Sequence, residues 1–363
     1  MIAHIQGDSV VAGPDAVKPL YETGYFGRPK DDRLYLRFVE AAYLLYKKKI
    51  EIYAEGQKVS KKSVPMSLDN FIRFAASKED LFELKYIVYK DLKERGYYVQ
   101  SSVTDFRVYP RGGHPGKTSA KIFVSVRSER MPLQLSELLM MMRNAESVRK
   151  DFILAIVDEE SDITFYTAGH MDAVGPFGGE KDSPYPEDTE MTDAYFMKER
   201  VIVSDAAFSE KLYGKHFFGR PLDEQRLQLS LVEALYLADE GLIRIRELDG
   251  RLTGREEFIE RASKIEPEFE RKVTVYKDLK KRGFVPKTGF KFGTHFRIYN
   301  NFESPDKVPH SVALLHVIGR DHVFILPQTS GASRLSNSVR KKMIYAFETG
   351  DRIEYIDLER VKM

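Results

Sequence analysis

Apolar residues recur along the chain in two rhythms. In FVEAAYLLY, residues Phe38, Ala41, Ala42 and Leu45 fall at three- and four-residue spacing, which predicts an amphipathic helix. A heavily charged helical stretch, VYKDLKERGY from Val88, ends at Gly96, where a glycine suits a left-handed helix cap. Short apolar or alternating runs then predict strands at DFRVY and KIFVSV, a helix ending at SVRK, and further strands at FILAIVD and ITFYT.

The same order of signals runs through the chain again. GYFGRP at Gly24 returns as HFFGRP at His216, and FVEAAYLLY as LVEALYLAD at Leu231. VYKDLKERGY returns as VYKDLKKRGF at Val275, and DFRVY, ending at Tyr109, as HFRIY, ending at Tyr299. SVRK ends at Lys150 and again at Lys341. Five matches in order, at offsets of 187 to 193 residues, define a tandem duplication. Each copy predicts an N-terminal α+β subdomain (1–95 and 196–282) and a small C-terminal α/β subdomain with a mixed, nuclease-like sheet (96–170 and 283–363). Between the copies, 171–195 is rich in glycine, proline and acids and reads as a linker.

Composition narrows the chemistry. The 363 residues are 42% hydrophobic and 12% aromatic, enough for real cores. Basic and acidic residues nearly balance, 57 against 55, so affinity for a polyanion has to come from local clusters. Cysteine is absent, which excludes disulfides, thiolate metal sites and thiol nucleophiles and fits a reducing cytoplasm. No apolar run is long enough to span a membrane, and the N-terminus has no export pattern.

The copies differ where chemistry would sit. His310 follows Tyr299 by eleven residues in the second copy, whereas the matching place in the first is near Ser119; His114 lies out of register in a Gly-Pro loop. Residues 271–300 hold nine Lys or Arg against one Asp, interleaved with Phe284, Phe290, Phe292 and Phe296. Such a stripe suits phosphates and stacked bases, and equally a solvated basic helix beside core phenylalanines. The first copy carries an acidic turn, Asp158, Glu159, Glu160 and Asp162, which reads as a solvated hairpin tip or as a plug for a basic groove. A tyrosine, a histidine and a lysine without a carboxylate pair fit RNA cleavage by the RNA's own 2′-hydroxyl: a base, an acid and a cation for the phosphorane. A metal-dependent DNA nuclease would need clustered acids near a lysine on adjacent strands. A non-catalytic RNA-binding or scaffold subunit would lack the three residues, as the first copy does.

The ordered set KTGFKFGTHFRIY, PHSVALLHV and SRLSNSVRKKM resembles the catalytic repeat of archaeal tRNA-splicing endonucleases, and the resemblance spans most of both copies. His295 stands where that family often has Asp. The resemblance implies Tyr299, His310 and Lys341 as catalytic residues, with Arg334 and Arg360 clamping a bulged base by stacking and cation–π contact. Seven residues separate Arg334 from Lys341, two turns if both lie on one helix, which would put them on one face. The family further implies a homodimer in which Asp158, Glu159, Glu160 and Asp162 dock into a basic cleft of the other chain. The substrate it implies is precursor tRNA cut at a bulge–helix–bulge, leaving 2′,3′-cyclic phosphate and 5′-hydroxyl ends, with no metal or other cofactor and no membrane.

Overall fold

The computed structural model describes residues 1–60, 62–102, 104–171, 191–300 and 304–363; most of the expected linker, 172–190, lies outside the described residues. The chain divides into two units, residues 1–169 with 323–330 and 360–363, and residues 170–322 with 331–359.

In the first unit the helix Phe38–Tyr46 is buried from Phe38 through Leu44. This corrects the one-faced helix expected from its spacing. Helices Leu68–Ala76 and Phe82–Glu94 pack on it with edge-on aromatic pairs, Phe38 on Phe71 and Tyr43 on Tyr89, so its flanks are as dry as its core face. Beside it lies a five-stranded sheet. Ile2–Gln6 pairs antiparallel with Ser9–Ala12 and parallel with Glu51–Tyr53, and Arg33–Leu36 and Arg28–Lys30 extend it beyond Ser9–Ala12. The helix Phe82–Glu94 starts after a left-handed Leu81 and ends at Gly96 with φ +87°. It leads into the second sheet: Val99–Ser102, Asp105–Val108 and Ile122–Ser128 run antiparallel, then Asp151–Val157 pairs parallel with Ile122–Ser128, and Ile163–His170 turns back antiparallel. The helix Leu135–Glu146 joins the two parallel strands, as a parallel pair requires. Residues 323–330 add a short antiparallel pairing of Val323–Phe324 with Leu133–Gln134 and a hydrogen bond between the Tyr166 and Ser330 hydroxyls, 2.9 Å.

The second unit repeats this order. Its N-terminal sheet holds Arg220–Pro221, Leu227–Leu229, Arg200–Val203, Thr192–Met197 and Ile243–Arg246, with the buried helix Leu231–Asp239 and the helices Arg255–Ile265 and Phe269–Lys281. Its C-terminal sheet runs Val285–Thr288, Phe296–Tyr299, Ala313–Val317, Lys342–Thr349, Arg352–Val361, again with one parallel pair, Ala313–Val317 with Lys342–Thr349, joined through the helix Leu326–Ser338. Fold class and duplication therefore stand as read.

The copies part at one buried position. Glu40 and Glu233 sit at the third residue of equivalent helices, 3% and 4% exposed. Glu233 meets the ammonium of Lys287 at 2.7 Å, and that ammonium also donates to the carbonyls of Phe217 and Gly219. Burial works to raise the Glu233 carboxyl, but Lys287 and two backbone N–H groups hold it below the usual carboxylate range. In the first copy the register puts Gln100 where Lys287 stands: Gln100 lies opposite Arg107, as Lys287 lies opposite Arg297. Glu40 accepts from the N–H groups of Gly27 and Arg37, 3.0 and 2.9 Å away, and burial raises its carboxyl against those bonds and the charges of Lys93 and Arg37.

Candidate active site

Strand pairing brings the second-copy residues to one end of the sheet. Ile298 pairs with Ala313, and the N–H of Val312 donates to the carbonyl of Ile298 at 2.8 Å. Ala313 also pairs with Lys342 on its other side. Tyr299, the segment His310–Val312 and Lys341 thus leave three adjacent strands at the same end, with strands about 4.8 Å apart.

Period-two alternation turns Phe296 and Ile298 into the core and Arg297 and Tyr299 to the other face. Tyr299 is 4% exposed and packs in a small cluster with Phe217 and Val285; the Phe217 ring meets it edge-on at 5.7 Å. Its hydroxyl has no hydrogen-bond partner among the described residues. The Arg297 guanidinium lies 5.7 Å from the Tyr299 ring centre, and its Nε is buried without a partner. Sequence reasoning passed over Arg297, although its place two residues before Tyr299 in both HFRIY and DFRVY already put it on the tyrosine face.

Lys341 is not on the helix. The helix ends at Ser338, Arg340 takes a left-handed φ of +54°, and Lys341 follows just before the strand. The two-turn argument placing Arg334 and Lys341 on one helical face therefore fails. The turn directs the Lys341 ammonium to the carbonyl of Ser311, 2.7 Å away and next to His310. Burial, and then the charge of Arg297, lowers the Lys341 pKa from its ordinary value. His310 is exposed. Arg334 is exposed on the helix Leu326–Ser338, and Arg360 is exposed near the end of the strand Arg352–Val361.

The basic-aromatic stripe is not one face. Phe284 and Phe296 are core residues, Lys287 is spent on Glu233, and Phe290 is 90% exposed at a tight turn. His295 is inward too. Its Nδ1 accepts from the N–H of Val317 at 2.8 Å, as Asp105 Oδ2 accepts from Val126 at 2.8 Å in the first copy. Burial, helped by Lys272 and His316, lowers the His295 pKa to about 4, which keeps the ring neutral and Nδ1 available to accept.

Residues 82–165 and 269–355 each match the catalytic C-terminal domain of tRNA intron endonucleases, and 1–64 and 192–259 each match the N-terminal domain of that family. Two tRNA-splicing endonucleases, from Methanosarcina mazei and Methanosarcina acetivorans, are each 53% identical to the chain, over 99% and 100% of it and 98% and 100% of their own lengths. One from Haloarcula marismortui is 32% identical over 98% of both chains. The chain belongs to the tRNA intron endonuclease family.

Both copies carry the tRNA intron endonuclease catalytic domain, but they differ in what surrounds the tyrosine. In the first copy the Tyr109 hydroxyl donates to Gln100 Oε1 at 2.9 Å. His114 stacks on Tyr25 at 4.8 Å and bonds the Pro115 carbonyl, so it serves packing. The first copy also holds the acidic turn of this endonuclease. The Asp158 carboxylate accepts from the N–H groups of Glu160 and Asp162, which fixes the turn and leaves Glu159, Glu160 and Asp162 exposed; Glu159 pairs with Arg130. Among the described residues no helix is long and apolar enough to cross a membrane, and no group of three His, Asp or Glu could hold a metal ion.

Proposed function

We propose that this endonuclease cuts precursor tRNA at intron boundaries in the cytoplasm by metal-independent transphosphorylation, with Tyr299, His310 and Lys341 of the second copy as the catalytic residues. Tyr299, as phenolate, takes the proton of the 2′-hydroxyl at the cleavage site. The O2′–P bond forms and the P–O5′ bond breaks, with the two oxygens in line. His310, as imidazolium, gives its proton to the departing O5′, and the Lys341 ammonium offsets the charge that builds on the non-bridging oxygens. The products are a 2′,3′-cyclic phosphate and a 5′-hydroxyl.

The observation that carries this reading is the Lys341–Ser311 bond, which ties the ammonium to the residue after His310 at the strand end where Tyr299 emerges. Duplex RNA holds its 2′-oxygen out of line, whereas a bulged nucleotide reaches the in-line geometry at low cost. A bulge–helix–bulge is therefore the substrate we infer, with Arg334 and Arg360 as the base clamp. Two cutting copies and two supporting copies come from a homodimer, in which Asp158, Glu159, Glu160 and Asp162 of one chain enter a basic cleft of the other.

The test is incubation of the full chain with intron-containing precursor tRNA in EDTA, beside the same RNA with a single 2′-deoxynucleotide before each cut. Cyclic phosphate ends on the first RNA and no cutting of the second are expected. Cutting of the deoxy RNA, or cutting only with Mg²⁺, would overturn the mechanism. His310→Ala is expected to lose cutting by about 10²–10⁴-fold, the usual worth of a general acid, while precursor binding stays within a few-fold.

A further inference from the structure

The non-cutting copy has an open cleft that its family role does not use. Two adjoining cavities of about 200 and 480 Å³ share Arg28, Arg37, Ser101 and Arg107 as lining. None of the three guanidiniums makes an ion pair or a hydrogen bond among the described residues, and the Nε of Arg107 is buried without a partner. Glu79 and Asp105 both pair with Lys85, and Glu40 accepts from backbone N–H groups, so the lining holds Arg28, Arg37, Arg107 and Lys85 against three carboxylates. The cleft therefore has surplus positive charge.

Comparison with the second copy shows how that surplus arose. The place of Gln100 is held there by Lys287, whose side chain closes onto Glu233. The place of Arg37 is held by Ser230, whose hydroxyl caps the helix by accepting from the N–H of Glu233, whereas Arg37 gives no side-chain cap. An Ncap serine replaced by a non-capping residue weakens the helix end, and a cation at a helix N-terminus is disfavoured by the macrodipole. The first copy thus gives up a cap and a filled slot, and it gathers three guanidiniums that repel one another and have no hydrogen-bonded partner among the described residues. A bound anion removes that cost.

We propose that this first-copy cleft binds backbone phosphates of the precursor RNA away from the cuts, so that the supporting copy positions substrate. The proposal rests on the reading that the substrate is precursor tRNA. Guanidiniums match phosphate oxygens in paired hydrogen bonds, and the joined cavities give more room than a single phosphate fills, which favours a strand over a free ion.

The experiment measures binding of uncleavable precursor tRNA, 2′-deoxy at both cuts, to the full chain and to R37S/R107Q over a range of salt. R37S restores the capping serine of the second copy, so the fold is expected to hold, and thermal unfolding checks it. The expected result is binding about tenfold weaker, with a slope of log affinity against log salt smaller by about two, one for each lost phosphate contact. Unchanged affinity and slope would overturn the proposal. So would a change in oligomeric state with RNA affinity intact, which would assign the cleft to an acidic protein segment. Arginine modification by phenylglyoxal on the unaltered protein gives a second readout: the RNA should protect Arg37 and Arg107, and lack of protection, or equal protection by inorganic phosphate alone, would overturn it. Failure of the function reading shows separately, as a wild-type chain that binds the all-ribose RNA and does not cut it.

Discussion

At the residue scale, Lys341 has the clearest physical assignment. Its ammonium is anchored by one carbonyl and retains other donors for a phosphate. Lys341→Ala is expected to lower single-turnover cutting by about 10²–10³, the worth of one charge-stabilising donor, with thermal stability nearly unchanged. His295 gives a pH prediction. Its folded pKa, lowered to about 4, lies below the unfolded value, so its contribution to stability is present above about 6.5 and is lost as pH falls toward 4. His216, lowered to about 4 mainly by burial, acts in the same direction. His295→Asp, which copies Asp105, is expected to shrink but not abolish the fall in unfolding temperature between pH 6.5 and 4.5. An equal fall in both proteins would refute the assignment. Two copies in register make the lone His310 conspicuous, whereas the resemblance to the family's catalytic repeat is what picks out Tyr299, His310 and Lys341 as a set. The position of Lys341 off the helix was not legible, because a left-handed arginine, unlike a glycine, leaves no mark in composition.

At the scale of elements, the caps and strands were legible. Gly96 and Gly283 both take positive φ at helix ends, and both sheets follow the apolar runs. The convergence of Lys341 with His310 was not, because it depends on a parallel pairing of Ala313 with Lys342 across an intervening helix, and no local pattern encodes such a register. The buried Lys287–Glu233 pair is an element-scale contact, since it ties a strand of the C-terminal sheet to the N-terminal helix. Lys287→Met is expected to destabilise the protein by about 3–5 kcal/mol near neutral pH, because Glu233 keeps a buried charge without its partner. In the unaltered protein the pair's contribution is lost as pH falls through the lowered Glu233 value. The gap between variant and parent should therefore narrow in acid, and denaturant unfolding at two pH values measures it.

At the scale of the whole molecule, the acidic turn of the first copy gives an expected signature. Reversing Glu159, Glu160 and Asp162 to lysine, with Asp158 kept to hold the turn, should leave each chain folded, since these side chains are exposed, yet shift sedimentation toward the monomer and reduce cutting with it. Dimers that persist with full cutting would remove the turn from the assembly. The duplication itself has a consequence for supply. Because the two copies are one polypeptide, they leave the ribosome matched one to one. The cell needs no control of their ratio, and each copy is free to change alone, as Gln100 opposite Arg107 and Lys287 opposite Arg297 have done.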